Sequence, residues 1–113
     1  MELAKNYRMN SLLEFYWPLL TAKQQLYARC YYVNDYSLSE ISDDFHVSRQ
    51  AVYDNLRRTE NILKQYERQL RLSYHFKLRN RKIDQIYQHI QRMEPQDHSL
   101  LAMVRELERL ENQ

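Results

Sequence analysis

The stretch SRQAVYDNLRR, residues 48–58, decides the fold. Ser48 is a helix-capping residue, and Val52 and Leu56 follow at a spacing of four, which puts them on one helical face. Arg49 and Gln50 then stand at the tip of the helix, Tyr53 and Asp54 one turn on, and Arg57 and Arg58 at the far end. Arginines at both ends and an aspartate in the middle make charge the first question this helix raises.

Upstream lies SLSEISDDFHV, residues 37–47. Ser37 with Glu40 three residues later is a capping box, in which the serine side chain accepts from the N3 amide and the glutamate reaches back. Leu38, Ile41 and Phe45 share a face, and Ser42 is small enough to let two helices cross closely. His46 falls where the turn requires positive φ, a conformation less unusual for histidine than for most residues. Two short helices around DFHVS give a helix-turn-helix at residues 37–58, with Val52 and Leu56 inward and Arg49, Gln50, Tyr53 and Asp54 outward.

Further upstream, TAKQ is a second capping box, with Thr21 as cap and Gln24 at N3. It opens a helix on which Leu26, Cys30 and Val33 fall near one face, ended by a turn at VNDY. A first helix is expected over residues 2–16, with Tyr7, Leu12, Phe15 and Tyr16 on one face and Leu13 at its edge. Pro18 lacks an N–H and disfavours helix in the residue before it, so that helix stops near Trp17.

Downstream, Ala51, Val52, Leu56, Thr59 and Leu63 continue the stripe, followed by Tyr66 and Leu70. No strong breaker occurs before Pro95. The stripe loses phase around residues 72–79, which favours two helices with a break near Ser73 or Asn80 over one long helix. A last helix is capped by Asp97 or Ser99 and repeats Leu100, Met103, Leu107 and Leu110 at intervals of three, four and three. That seam is too short to hold a coiled coil alone and suits a homodimer contact or packing within the chain.

The chain has 113 residues, no glycine and two prolines, and 43% of its residues are hydrophobic. A glycine-free sequence rich in Leu, Arg, Gln and Glu reads as all-α. The expected architecture is a helix-turn-helix domain over residues 1–66, including the N-terminal helix, and a basic helical extension over 67–113. The net charge of +2 is uneven: residues 1–66 sum to 0, residues 67–94 to +4 and residues 95–113 to −2.

The single cysteine, Cys30, excludes an internal disulfide and a cysteine-based zinc site, and suits a reducing cytoplasm. No apolar run approaches the roughly 20 residues of a membrane span, and the N-terminus has no signal-peptide pattern, so the expected location is the cytoplasm without membrane insertion. His46, His75, His89 and His98 have no ligand-like spacing, and no nucleophile, phosphate loop or paired carboxylate stands out. No metal, no cofactor and no catalytic residue is expected, and the chain is not read as an enzyme.

LTAKQ, SLSEIS, FHVSRQAV and LRRTENIL, taken in register, resemble the promoter-reading fourth region of bacterial sigma factors. The longer stretch from LLTAKQQLYARCYYVNDY through LKQYE is more similar still to the YlxM family of small bacterial helix-turn-helix proteins. The resemblance covers about Met9 to Glu67. It implies a sigma-region-four-like helix-turn-helix and a regulatory role linked to the signal recognition particle pathway, beside whose genes those of the family tend to lie.

By the sigma-factor resemblance, Arg49, Gln50, Ala51 and Asp54 face the DNA groove. Arg49 suits the O6/N7 edge of guanine, Gln50 the N6/N7 edge of adenine, and Asp54 a cytosine amine. Ser48 with the helix N-terminus, Arg57 and Arg58 suit phosphates. Yet residues 37–58 hold three arginines against Glu40, Asp43, Asp44 and Asp54, a net of −1. Because phosphate neutralisation supplies most of a DNA binder's affinity, one such unit binds weakly without a second copy or the basic run beyond. In that run Arg68, Arg71, Lys77, Arg79, Arg81 and Lys82 alternate with Tyr74 and Phe76, a pattern that holds nucleic acid, RNA included, and equally one that marks a solvated helix face over buried aromatics. The alternative to a DNA-binding regulator is a non-catalytic adaptor for protein or for the ribonucleoprotein of the targeting pathway.

Overall fold

The computed structural model describes Leu3 and residues 7–113, and among these residues the chain is all-α. The order is α1 (Tyr7–Tyr16), a 3-10 turn (Trp17–Leu19), α2 (Ala22–Ala28), a π turn (Arg29–Val33), α3 (Leu38–Phe45), α4 (Arg49–Leu70), α5 (Leu72–Met93) and α6 (His98–Glu111). The expected start of the first helix and the side chain of Tyr7 lie outside the described residues. The chain divides at Arg71 into two compact units, Met1–Arg71 and Leu72–Gln113.

Both capping boxes form. Thr21 Oγ1 accepts from the Gln24 amide at 3.1 Å and Gln24 Oε1 from the Thr21 amide at 3.0 Å. Ser37 and Glu40 make the same reciprocal pair at 3.0 and 3.2 Å. Ser48 Oγ accepts from the Ala51 amide at 3.0 Å, and Asp97 Oδ1 from that of Leu100 at 3.0 Å. Asp97, not Ser99, is therefore the cap of α6.

The N-terminal unit buries two adjoining apolar clusters. Met9, Leu12, Leu13 and Tyr16 of α1 meet Leu20, Ala28 and Leu63 in one; Tyr27, Cys30, Ile41, Val52 and Leu56 meet in the other. Ser42 is buried as well, which leaves α3 and α4 room to approach. The inward face of α2 differs from the expected one. Cys30 is buried, but Leu26 and Val33 are exposed, and Tyr27 and Ala28 take the inner positions. Tyr27 fills the volume that Leu26 was expected to fill, a rotation of one residue or about 100°. The π turn then adds a further residue: the amide of Asn34 donates to Arg29 O at 2.9 Å, five residues back.

α3 ends as expected at His46, with φ 55° and ψ 44° in the left-handed region. Asp35 and Arg71 are the other described residues with positive φ, at 58° and 55°. Arg71 terminates α4 and donates its amide to Glu67 O at 2.9 Å, so the favoured break between two long helices falls just before Leu72. A side chain in this region costs roughly 1–2 kcal/mol, offset in part when glycine loosens the unfolded chain. His46→Gly is expected to stabilise the N-terminal unit by about 0.5–1 kcal/mol in urea unfolding. A loss of stability would mean that the exposed imidazole has a role in the turn.

In the C-terminal unit α5 and α6 form a helical hairpin. Ile83 and Ile90 pack on Val104, with Tyr87 and Leu101 beside them. The Arg105 guanidinium lies 3.8 Å from the centroid of the Tyr87 ring, a cation–π contact along one flank. Leu100, Met103, Leu107 and Leu110 are exposed, because the inward stripe of α6 is the neighbouring one, Leu101 and Val104.

Candidate nucleic-acid interface

α3, the His46 turn and α4 form the helix-turn-helix, and the first turn of α4 is its protruding end. Ser48 takes the amide of Ala51 on its side chain and that of Val52 on its carbonyl, at 3.2 Å. The amides ahead of them point outward at the positive end of the helix dipole. Arg49, Gln50 and Ala51 are all exposed, while Val52 and Leu56 anchor the same helix at 0% exposure.

Asp54 is held within this helix. It is half-buried, and its Oδ1 accepts from Gln50 Nε2 at 2.9 Å across one turn. The carboxylate therefore orients the Gln50 amide, and Gln50 lines a shallow hollow together with Leu38, Arg49 and Tyr53. Tyr53 is half-buried against the second apolar cluster. Its hydroxyl is buried with no hydrogen-bond partner, so only part of the ring contributes to the exposed surface. At the far end Arg57 is half-buried, 3.8 Å from Glu60, whereas Arg58 is exposed.

The basic run is distributed over both units. Arg68 and Arg71 belong to the first, and Lys77, Arg81 and Lys82 to the second; all five are exposed. Arg79 donates through Nε to Glu111 at 2.8 Å, which ties α5 to the end of α6 and offsets its charge locally. Of the interleaved aromatics, Phe76 is half-buried and Tyr74 is exposed.

A second polar cluster lies beneath α4. Glu60 is 1% exposed and accepts a short hydrogen bond from the Tyr32 hydroxyl, with Arg57 nearby. Two helical turns on, the Tyr16 hydroxyl donates to Glu67 Oε1 at 2.6 Å. The sequence reading missed both pairs. The available signal was an acid inside the buried stripe, between Thr59 and Leu63. Burial, then the Glu60 hydrogen bond and charge, push the Tyr32 phenol well above the usual tyrosine range. The unfolded phenol ionises near pH 10 while the folded one stays protonated, so the unfolded chain binds fewer protons and stability falls as pH rises. Wild-type stability is expected to decline above about pH 10 by at most about 1.4 kcal/mol per pH unit from this group. Unfolding of Tyr32→Phe, followed between pH 9 and 12, should show a shallower slope, and equal slopes would place the alkaline sensitivity elsewhere.

Among the described residues no helix is long and apolar enough to cross a membrane, and no group of three or more His, Cys, Asp or Glu is placed to hold a metal ion.

The family described as "Putative helix-turn-helix protein, YlxM / p13 like" matches residues 3–103. Relatives named "UPF0122 protein" are similar over the full length. That of Limosilactobacillus reuteri (strain DSM 20016) is 53% identical over 113 residues, covering 100% of both chains. That of Pediococcus pentosaceus is 54% identical, also over 100% of both. That of Lactiplantibacillus plantarum is 52% identical over 111 residues, covering 98% of this chain and 96% of the other. A two-helix motif with a left-handed histidine at its turn, and likeness that runs beyond the motif into the C-terminal hairpin, thus lead to one conclusion: this chain belongs to the YlxM/p13-like family of helix-turn-helix proteins, UPF0122.

Proposed function

We propose that the protein is a DNA-binding regulator that reads base edges with the first turn of α4 and acts as a homodimer. The observation that carries this reading is the exposure of Arg49 and Gln50 on a capped, anchored helix, with the Gln50 amide oriented by Asp54. An amide has two N–H donors and one oxygen. With one N–H given to Asp54, Gln50 keeps the donor and acceptor pair that an adenine edge needs. Arg49 supplies the two parallel donors that a guanine edge needs.

Affinity per copy is low in this reading. Arg57 is engaged with Glu60, and the motif as a whole is net negative, so Arg58 and the α4 amides carry the phosphate contacts. Two or three neutralised phosphates give a log–log salt slope of about −2 to −3 per copy. Selection from a random duplex pool at low salt, followed by anisotropy over a salt series, tests the proposal. Enrichment of a site with adenine and guanine at adjacent positions is the expected result. A pool that stays random after repeated rounds removes base reading from the function.

A second reading rests on the exposed basic residues of α5, Lys77, Arg81 and Lys82. They suit a ribonucleic-acid backbone, and the YlxM likeness suggests the signal recognition particle as its source. In this reading the chain is an adaptor of that particle in the cytoplasm. Capture of the particle's RNA from lysate, lost on RNase treatment, is the outcome it requires.

A further inference from the structure

Each long helix of the C-terminal unit has one inward stripe. On α5 the buried and half-buried positions are Ser73, Phe76, Asn80, Ile83, Tyr87 and Ile90; on α6 they are Leu101, Val104, Glu108 and Glu111. Both follow a three–four spacing, and in an antiparallel pair the residues that precede such seam positions on the two helices lie along the same flank. That flank carries Ile86 and Met93 of α5 with Leu100, Met103, Leu107 and Leu110 of α6, exposed by 37–66%. The opposite flank is polar, with Lys77, Asp84 and Gln91 facing His98 and Arg105, and is closed by the Arg105–Tyr87 contact. One side of the hairpin is finished for water and the other is not.

We infer that the apolar flank is the contact between two copies of this chain, and that each copy lays its α6 stripe on the partner's α5 stripe to complete a four-helix arrangement. The inference deepens the homodimer part of the proposed function and is independent of what α4 reads. Three observations select a second copy as the occupant. The hairpin spans Leu72–Gln113 and its buried apolar residues are Ile83, Ile90 and Val104 alone, in a unit close to the size of roughly 40 residues below which units lean on disulfides, metals or association. The one cysteine of the chain, Cys30, lies in the other unit, so no disulfide staples the hairpin.

The second observation is area. Six side chains of this size and exposure present on the order of 500 Å² of apolar surface, the greater part of the roughly 800 Å² per partner that a stable interface covers. The third is charge. The α5 edge of the flank is bordered by Lys82 and His89, one turn before Ile86 and Met93, and the α6 edge by Glu106, between Met103 and Leu110. A two-fold pairing of α6 with the partner's α5 sets Glu106 beside the partner's Lys82. A pairing of α6 with α6 sets Glu106 against Glu106.

The test is sedimentation velocity of the full chain over a micromolar concentration series, with no nucleic acid present. The expected mass is twice 14.0 kDa. Leu107→Glu is expected to weaken self-association by about 100-fold or more, because a carboxylate would be desolvated without a partner, with helix content unchanged by circular dichroism. Lys82→Glu and Glu106→Lys are each expected to weaken association severalfold, and the double reversal to restore it. Should Leu107→Glu lose helix content, the reversal cycle decides. A 14.0 kDa species throughout the series overturns both the homodimer and this surface and leaves base reading by α4 untouched. A dimer unmoved by Leu107→Glu overturns the surface alone. Charge reversals that are merely additive overturn the α5–α6 pairing.

Discussion

Replacing Glu60 with alanine is expected to destabilise the N-terminal unit by about 3 kcal/mol, which for a unit of this size lowers Tm by roughly 15 °C. Glu60 is 1% exposed, between Thr59 and Leu63 on the face of α4 that covers the core. Alanine removes the acceptor of the Tyr32 hydroxyl and leaves a cavity. A buried hydroxyl without an acceptor costs about 1–3 kcal/mol, and the cavity adds to it. Arg57 contributes less to the loss, since its side chain is 36% exposed and can turn to water. Glu60→Gln keeps an acceptor for Tyr32 and is expected to cost only about 1 kcal/mol. Thermal and urea unfolding of the two variants are the measurement. If both fall within about 0.5 kcal/mol of wild type, within the range of surface changes, the pair does not hold α4 to the turn that carries Tyr32.

The second large effect concerns base reading and rests on the DNA proposal. Arg49→Ala is expected to weaken binding to a selected duplex by roughly 10- to 100-fold, the range of about 1–3 kcal/mol for a bidentate contact. Gln50→Ala should lose a similar factor at a different base pair. Asp54→Asn separates two roles of one carboxylate. Removing a negative charge near the backbone should strengthen binding to unrelated duplex, because phosphate repulsion is relieved. Loss of the charged acceptor that orients Gln50 should weaken the preference for adenine at its position. Anisotropy with matched and single-base-changed duplexes at fixed salt separates the two effects. Asp54→Asn that strengthens all sequences equally would mean the aspartate tunes affinity alone.

The helix starts were legible because capping is local chemistry. Thr21, Ser37 and Ser48 each announce a helix within four residues, and each side chain makes the predicted bond. The left-handed turn at His46 was legible for the same reason, through its place between two caps. The exposure of Arg49 and Gln50 followed from the phase of Val52 and Leu56. What could not be read depends on distant partners. Leu26 and Tyr27 compete for one inward position, and the winner is set by Ile41, Phe45 and Val52 from other helices. Glu60 is buried because Tyr32, 28 residues away, donates to it. Arg79 finds Glu111 across 32 residues. Arg71 gives no local sign of a left-handed stop, since arginine favours helix.

The π turn at Arg29–Val33 makes this the place where the length of the domain is negotiable. It holds one residue more than an ordinary helical turn needs, so deleting a residue there would let α2 run on regularly and deliver Asn34 to the same exit. A deletion inside α4 ahead of Val52 has no such slack. It would swing the tip about 100° around the axis and exchange Arg49 and Gln50 for their neighbours. Insertions and deletions compatible with this fold are therefore expected to gather at residues 29–33 and to spare the four positions that follow Ser48.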